Sequence, residues 1–269
     1  MKVLLVLLFF SLATFAYIPP LHMILDRTSE NAGAGVYAID TELVFTDGTN
    51  EAAVKESWLI ENERTLKLTV SGLKELKGLK LFYVYENGLK WAMKGQKRES
   101  QPISNDFLER WHHIRNTDAL ATFLVASHLI PEFKKEKQSR TVFEESILKL
   151  SRTQGVINFA IGEVSKEEAK PKIWIEQDFF VIRKVRLPSQ VEMEFDNYKS
   201  YSKGLNYPKH KLIRWGQNRV NINTMSVVPK TGNVSAQLSP QSLDTNNQSE
   251  ALYNHPMKSV LEDFYTRFR

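Results

Sequence analysis

The stretch that decides the fold is residues 172–228, KIWIEQDFFVIRKVRLPSQVEMEFDNYKSYSKGLNYPKHKLIRWGQNRVNINTMSVV. Apolar and polar side chains alternate through most of it, and a period of two is typical of half-buried β-strands. In Gln190–Tyr198, for example, three large apolar residues alternate with three acidic ones. Short turns such as Gly216-Gln217-Asn218 separate the strands, and this spacing predicts antiparallel neighbours rather than a parallel α/β sheet.

The same alternation extends outward to residues 36–94 in the first half of the chain. Asn87-Gly88 is the strongest short-range signal for a β-hairpin there. Further strands are expected at Arg140–Leu150 and Val156–Val164. We therefore predict a mainly β protein with helices (an α+β fold), built on a curved antiparallel sheet of about eleven strands.

Two stretches have a different period. Within Tyr17–Gly35, prolines precede a short apolar segment and glycines follow it, which is typical of a short helix. In Asn105–Leu129, apolar residues recur at steps of three and four. We expect two helices there, with Thr117 or Asp118 capping the second, and we expect their apolar side to cover the sheet.

The first sixteen residues predict export. A lysine at position 2 precedes an apolar run, Val3–Leu12, and small residues follow up to Ala16. This layout is typical of a cleaved secretory signal peptide, and the run is too short to span a bilayer. The chain has no cysteine, so we expect a periplasmic protein that carries no lipid of its own.

The end of the chain changes character after the last strand. We predict one domain over residues 17–229, a flexible linker over 230–250 and an amphipathic helix over 251–269. Two readings of that helix stay open: it docks on the parent domain, or it binds a partner at the end of its tether.

Composition and motifs exclude several classes of function. The 269 residues carry a net charge of +5 without a basic cluster, which argues against nucleic-acid binding. The nucleotide-binding, serine-hydrolase and zinc-protease signatures are missing. His112-His113 is the one histidine pair, and adjacent helical residues point about 100° apart, so they are unsuited to sharing a metal. We expect no catalytic residue, no metal and no cofactor.

A wide apolar face offers the only candidate binding surface. Its residues either form an ordinary core or line a cavity left open for an acyl chain, and the sequence does not separate the two. The candidates are Trp58, Ile60, Leu68, Leu81, Tyr83, Trp91, Met93, Trp111, Phe180, Ile182, Met193 and Phe195.

The order of these elements resembles the LolA-type outer-membrane lipoprotein-sorting family. The similar features are the hairpin Lys172–Leu187, the strand ending at Phe195-Asp196-Asn197-Tyr198, and Tyr207-Pro208 before a last hairpin. The resemblance implies an unclosed barrel of about eleven strands, helices over its concave face and acyl chains bound between the two. The family's early-strand arginine has no clear counterpart here, and the segment after Pro229 has no place in the basic carrier.

The resemblance implies a monomeric periplasmic protein that carries or senses lipids or lipoproteins, with an inner- or outer-membrane protein as a possible partner. The alternative is an envelope regulatory module on the same fold, whose last helix binds a protein partner. An envelope hydrolase is a third and weaker reading, because no acidic pair in the sequence is marked as catalytic.

Overall fold

The computed structural model describes residues 18–133, 142–153, 155–163, 170–245 and 248–269. The expected signal peptide, residues 1–16, lies outside the described residues.

The described residues form thirteen strands. In chain order they are β1 (Val36–Thr46), β2 (Glu51–Asn62), β3 (Thr65–Gly72), β4 (Lys80–Glu86), β5 (Leu89–Lys94), β6 (Lys97–Pro102), β7 (Leu148–Thr153), β8 (Val156–Gly162), β9 (Lys172–Glu176), β10 (Ile182–Arg186), β11 (Glu192–Ser200), β12 (Asn206–Trp215) and β13 (Asn218–Lys230).

All of these strands belong to one sheet, in the order β6-β5-β4-β3-β2-β1-β13-β12-β11-β10-β9-β8-β7. Every neighbouring pair is antiparallel. The two ends of the order, β6 and β7, do not pair with each other, so the sheet is not closed. The prediction of a mainly β fold with an unclosed antiparallel sheet is confirmed.

Five α-helices accompany the sheet in the described part of the chain. They are α1 (Leu21–Glu30), α2 (Thr117–Ala126), α3 (Val142–Ile147), α4 (Ser235–Leu238) and α5 (Lys258–Arg267).

One face of the sheet packs against α1, residues 105–130 and α5 in a single hydrophobic core. We call this face concave and the opposite face convex. Because side chains alternate across a strand, each strand contributes every second residue to this core. In β1, for instance, every second residue from Tyr37 to Phe45 is buried on this side, and the residues between them are only half-buried.

Three local predictions need correction. The sheet has two strands more than expected, and β6, with the sequence KRESQP, gave no signal because it is an edge strand with every residue exposed. Residues 142–147 are helical rather than extended. Within 105–129 only α2 is an α-helix, with a short 3₁₀ turn at Glu109–His112, and the cap of α2 is Asn116, whose side chain accepts from the amides of positions 118 and 119.

The segment after β13 differs from the expected flexible linker. Leu238 and Leu243 are buried, and Lys67 Nζ on the convex face donates to the carbonyl of Ser242 over 3.0 Å. Gln248 then forms a β-bridge with Lys80 at the start of β4. The chain thus lies against the convex face first and reaches the concave face before α5 begins.

The last helix is docked in the core. Its buried side chains share one stripe of the helix, and Phe264 meets Phe45 of β1 edge to face, with 4.8 Å between ring centroids. The buried residues of this stripe are Val260, Leu261, Phe264 and Tyr265.

Candidate functional site

The middle of the concave face is filled by side chains. Residues 105–130 insert Phe107, Trp111 and Leu124 into the core, where each is at most 3% exposed. Phe107 stacks on Tyr85 of β4 with 4.8 Å between ring centroids. The space beneath this segment is therefore packed core in the structure.

Two buried ion pairs lie within that core. In the first, Lys211 Nζ of β12 is 2.9 Å from Glu109 Oε2 of the 3₁₀ turn, and the two side chains are 4% and 1% exposed. Tyr207 Oη also donates to Glu109, and His113 Nε2 is 3.2 Å from the same carboxylate. Burial alone would raise the pKa of Glu109, but the charge of Lys211 and the contact with His113 hold that pKa well below its usual range.

The second pair joins the end of the described chain to β2. Arg269 Nε lies 2.9 Å from Glu56 Oε1, and Trp58 Nε1 donates to the same carboxylate over 3.1 Å. Burial would lower the pKa of the Arg269 guanidinium, but the charge of Glu56 outweighs it and raises that pKa. Both core carboxylates are therefore neutralised by cations of the chain itself.

Open space remains at the β6 edge of the concave face, where α5 stands away from the sheet. This opening, the α5 cleft, has a volume of about 370 Å³, within the usual range for small-molecule sites of roughly 300–1,000 Å³. Its lining residues come from β4, β5 and β6 and from the last segment of the chain: Leu81, Tyr83, Lys90, Ala92, Lys94, Glu99, Ser100, Gln101, Ser249, Leu252, Leu261, Glu262, Tyr265 and Thr266.

Lys90 of β5 is the buried charge of the α5 cleft. It is 5% exposed, and its Nζ donates to the backbone carbonyl of Tyr265, in the last turn of α5. The same Nζ lies 4.1 Å from the centre of the Tyr83 ring. Within the described residues no carboxylate lies within 4 Å of it.

Burial lowers the pKa of Lys90 to about 7, and the positive charge of Arg269 contributes in the same direction. An ammonium group loses hydration on burial, and a carboxylate partner usually restores the balance. Lys90 has a carbonyl and an aromatic ring in place of that partner. Its charge is consequently the least stabilised among the three buried cations described here, Lys90, Lys211 and Arg269.

The other charges of the α5 cleft are at its rim and are paired. Lys94 Nζ lies 3.5 Å from Glu99 Oε2 across the β5–β6 hairpin. Glu262 lies 3.9 Å from Lys258 on the exposed side of α5. The cleft therefore combines aliphatic and tyrosine walls, a balanced rim and one uncompensated cation at its inner end.

A second opening of about 440 Å³ lies at the other end of these strands, between α2 and the turns of two hairpins. Its walls include Ile103, Ile114 and Phe123, and Arg64 and Glu63 are at its mouth. The guanidinium of Arg110 stacks over Phe123 at 4.9 Å.

The structure separates the twelve predicted binding residues into three groups. Seven are buried in the core and line neither opening: Trp58, Ile60, Leu68, Trp111, Ile182, Met193 and Phe195. Phe180 packs against the same core from its edge. Leu81 and Tyr83 line the α5 cleft.

Trp91 and Met93 belong to the convex face, so their assignment to the concave face is wrong. Cross-strand partners share a face, and Trp91 is paired with Val84 while Tyr83 is paired with Ala92. Trp91 and Met93 form a separate small cluster with Leu243 from the segment after β13. The error is one residue of register, which transfers every side chain of a strand to the other face.

Sequence reasoning missed the most distinctive residues of the cleft, Lys90 and Ala92. A signal for them was present, because a two-residue Asn87-Gly88 turn pairs Glu86 with Leu89 and therefore Tyr85 with Lys90. The contribution of α5 had no comparable signal, since nothing local specifies where a helix docks.

Comparison with known proteins adds evidence on the fold. No protein-family model matches the chain, and no curated protein matches it in sequence. A putative outer membrane lipoprotein-sorting protein domain from Vibrio parahaemolyticus superposes with a TM-score of 0.53 at 14% identity, over 82% of this chain and 97% of that one. A LolA superfamily protein from Nitrosomonas europaea superposes with a TM-score of 0.55 at 8% identity, over 84% and 100%. The chain has the LolA-type fold.

A DUF1329 family protein from Desulfovibrio piger superposes with a TM-score of 0.53 at 7% identity, over 83% of this chain and 97% of that one. Identities of 7–14% mean that the shared feature is the fold. Similarity at this level identifies the fold and not the ligand.

None of the helices in the described part of the chain has the length and apolar character needed to cross a membrane. No group of three or more His, Cys, Asp or Glu side chains is placed to hold a metal ion within the part of the chain that the structure describes.

Proposed function

We propose that this protein is a periplasmic binding protein that takes up an amphiphile with an acyl chain, in the α5 cleft, and does no chemistry on it. The observation that carries the proposal is the cleft itself, an opening of about 370 Å³ between the sheet and α5, next to a buried lysine that has no carboxylate partner in the described residues. The signal peptide predicted at residues 1–16 supports export, and the LolA-type fold supports a role in handling lipids or lipoproteins.

The lining supports an acyl chain as the apolar part of the ligand. Leu81 and Tyr83 form one wall, and Leu252, Leu261 and Tyr265 form the other. Each methylene group transferred from water to such a surface contributes about 0.8 kcal/mol. A chain of even modest length would therefore bind without any covalent step.

The alternative, a regulatory module whose last helix captures a partner protein, has less support. It requires the apolar stripe of α5 to be available, but Leu261 and Phe264 are fully buried against the sheet. A partner that engages α5 would first have to displace it from the core.

Filling the α5 cleft tests the proposal. Ala92 faces the cleft from β5, so Ala92→Trp would occupy the space of at least two methylene groups of a bound chain and weaken binding at least about tenfold. Arg98→Trp is the matched control, because Arg98 is exposed and is paired with Met93 on the convex face. Displacement of a fluorescent fatty acid from the purified protein measures both affinities.

Equal binding by wild type and a folded Ala92→Trp variant would show that the α5 cleft is not the site. Native mass spectrometry of protein purified without detergent provides a second measurement, and we expect co-purified lipid on wild type and Arg98→Trp but not on Ala92→Trp.

A further inference from the structure

Lys90 carries a charge that the protein leaves without a carboxylate. Two other cations buried on the concave face, Lys211 and Arg269, each lie within 3 Å of a glutamate oxygen. Lys90 Nζ has three protons to donate, and in the described residues it has one hydrogen-bond acceptor, the carbonyl of Tyr265. Two donors are left over at the wall of an open cleft.

The position of Lys90 makes this charge available to a ligand. Its Nζ lies over the face of Tyr83, and both residues line the α5 cleft together with Leu81 and Leu261. An anion that enters the cleft would meet the ammonium in a water-poor setting, where a charge-assisted hydrogen bond is stronger than it is in bulk water. The rest of such a ligand would lie against aliphatic walls.

The surrounding charges favour an anion at this point. Arg269 acts on Lys90 as a second positive charge, even though its own partner is Glu56. The rim acids, Glu99 and Glu262, have Lys94 and Lys258 as neighbours. A negative group beside Lys90 would therefore complete the charge balance of the cleft.

We propose that Lys90 anchors the anionic headgroup, a carboxylate or a phosphate, of a single-chain amphiphile whose tail fills the α5 cleft. This inference rests on the proposed function and adds the class of headgroup to it. A neutral lipid of equal length would leave the ammonium without its counter-ion and bind more weakly.

The anchor makes binding depend on pH. Lys90 has a pKa of about 7 in the ligand-free protein, so it is mostly charged below pH 7 and mostly neutral above it. Four titratable groups pack around Lys90: Tyr83, Tyr85, Tyr265 and Arg269. They keep their protonation state in this range, because burial raises the pKa of each tyrosine and Glu56 raises the pKa of Arg269. The other charges that line the cleft are the rim groups Lys94, Glu99 and Glu262. Affinity for an anion should fall as the pH rises from 6 to 9, whereas affinity for a neutral analogue should stay constant.

The experiment compares oleate, oleyl alcohol and inorganic phosphate on the purified protein by displacement of a neutral fluorescent lipid. Wild type should bind oleate about tenfold more tightly than oleyl alcohol at pH 6.5, a ratio typical of one hydrogen bond to a charged group. Lys90→Met should remove this preference and bind the two lipids equally. Lys80→Met is the matched control, since Lys80 is an exposed lysine on the convex side of β4, and it should keep the preference.

A second variant keeps the test decisive if Lys90→Met perturbs the fold. Lys90→Arg retains a charge at all accessible pH values, so its preference for oleate should persist at pH 9, where that of wild type is reduced. If wild type binds both lipids equally, or if Lys90→Met keeps the preference, the inference about the headgroup is wrong and the proposed lipid binding stands. If neither lipid binds, or if inorganic phosphate alone competes as well as oleate, the proposed function fails as well.

Discussion

The two lysines buried on the concave face, Lys211 and Lys90, are in opposite situations. Lys211 is 4% exposed and paired with Glu109 at 2.9 Å, with Tyr207 and His113 completing the hydrogen bonds of that carboxylate. Lys90 is 5% exposed and has one carbonyl and one aromatic ring. The two are nearly equally buried, so the difference lies in what surrounds the charge.

This difference separates a charge that holds the fold together, Lys211, from a charge that is available to a ligand, Lys90. A buried charge whose hydrogen bonds are all made within the protein holds elements together, here the 3₁₀ turn at Glu109–His112 and strand β12. A buried charge that is left incomplete beside an opening costs stability and can be completed by a ligand. Substitutions that remove a charge at the two lysine sites should therefore change the free energy of unfolding in opposite directions.

The largest effect is expected at the Lys211 site. Glu109→Gln removes the counter-charge of a buried lysine and should lower the free energy of unfolding by about 3 kcal/mol or more, measured by urea denaturation. Adding Lys211→Met should recover part of this loss, because the second change removes the orphaned charge.

The control for this comparison is Glu30→Gln. Glu30 forms an exposed pair with Arg27, so its replacement should change the unfolding free energy by less than about 0.5 kcal/mol. A loss below 1 kcal/mol in Glu109→Gln would mean that the two lysine sites do not differ as described.

A smaller effect of opposite sign is expected at Lys90. Lys90→Met should raise the free energy of unfolding by more than about 1 kcal/mol at pH 6, because it removes a charge whose burial is not compensated. The pKa of Lys90 falls from 10.5 to about 7 on folding, so the unfolded chain holds the proton more tightly. The penalty in wild type is complete below pH 7 and disappears as the pH rises from 7 towards 10.5.

Thermal unfolding of wild type and Lys90→Met between pH 6 and 10 checks this sign. The stability difference should shrink steadily above pH 7. If Lys90 only capped the carbonyl end of α5, the result would be the reverse: Lys90→Met would be less stable than wild type at every pH.

The smallest effect is expected in the charged cluster on the convex face. Glu192 lies 2.8 Å from Lys184 Nζ, and Arg186 also donates to it. Partial burial would raise the pKa of Glu192, but its hydrogen bonds to these two cations lower that pKa from 4.5 to about 2. The resulting stability is present above pH 4.5 and is lost as the pH falls from 4.5 towards 2.

Glu192→Gln should cost at most about 1 kcal/mol at pH 7, since its surroundings are partly solvated. The difference from wild type should disappear near pH 2 in urea titrations. A loss as large as that in Glu109→Gln would show that burial is not what separates these ion pairs.

Much of the sheet could be read from the sequence because alternation and turn chemistry are local. Residues 172–228 became β9 to β13 in the expected order. The sequence did not predict strand β6, because all of its residues are exposed and it has no alternation of apolar and polar residues. Trp91 and Met93 were placed on the wrong face, although the Asn87-Gly88 turn specified their register.

The binding site was less predictable than the sheet. Large apolar residues such as Met193 and Phe195 were candidates for ligand binding, but in the structure they are buried in the core. The α5 cleft instead depends on where the helix and the strands do not make contact. No local sequence pattern encodes that property.

By itself, the sequence determined an antiparallel, mainly β fold with helices on one face, since hydrophobic periodicity and two-residue turns act over short distances. Only the tertiary structure decided that α5 packs against β1 and leaves a cleft over β4–β6, that Glu109 meets Lys211 from about a hundred residues away, and that Lys90 meets no carboxylate within the described residues. Those outcomes depend on the meeting of distant surfaces. The free energy of a buried charge is set by what lies within a few ångströms of it in space, wherever those groups stand in the chain.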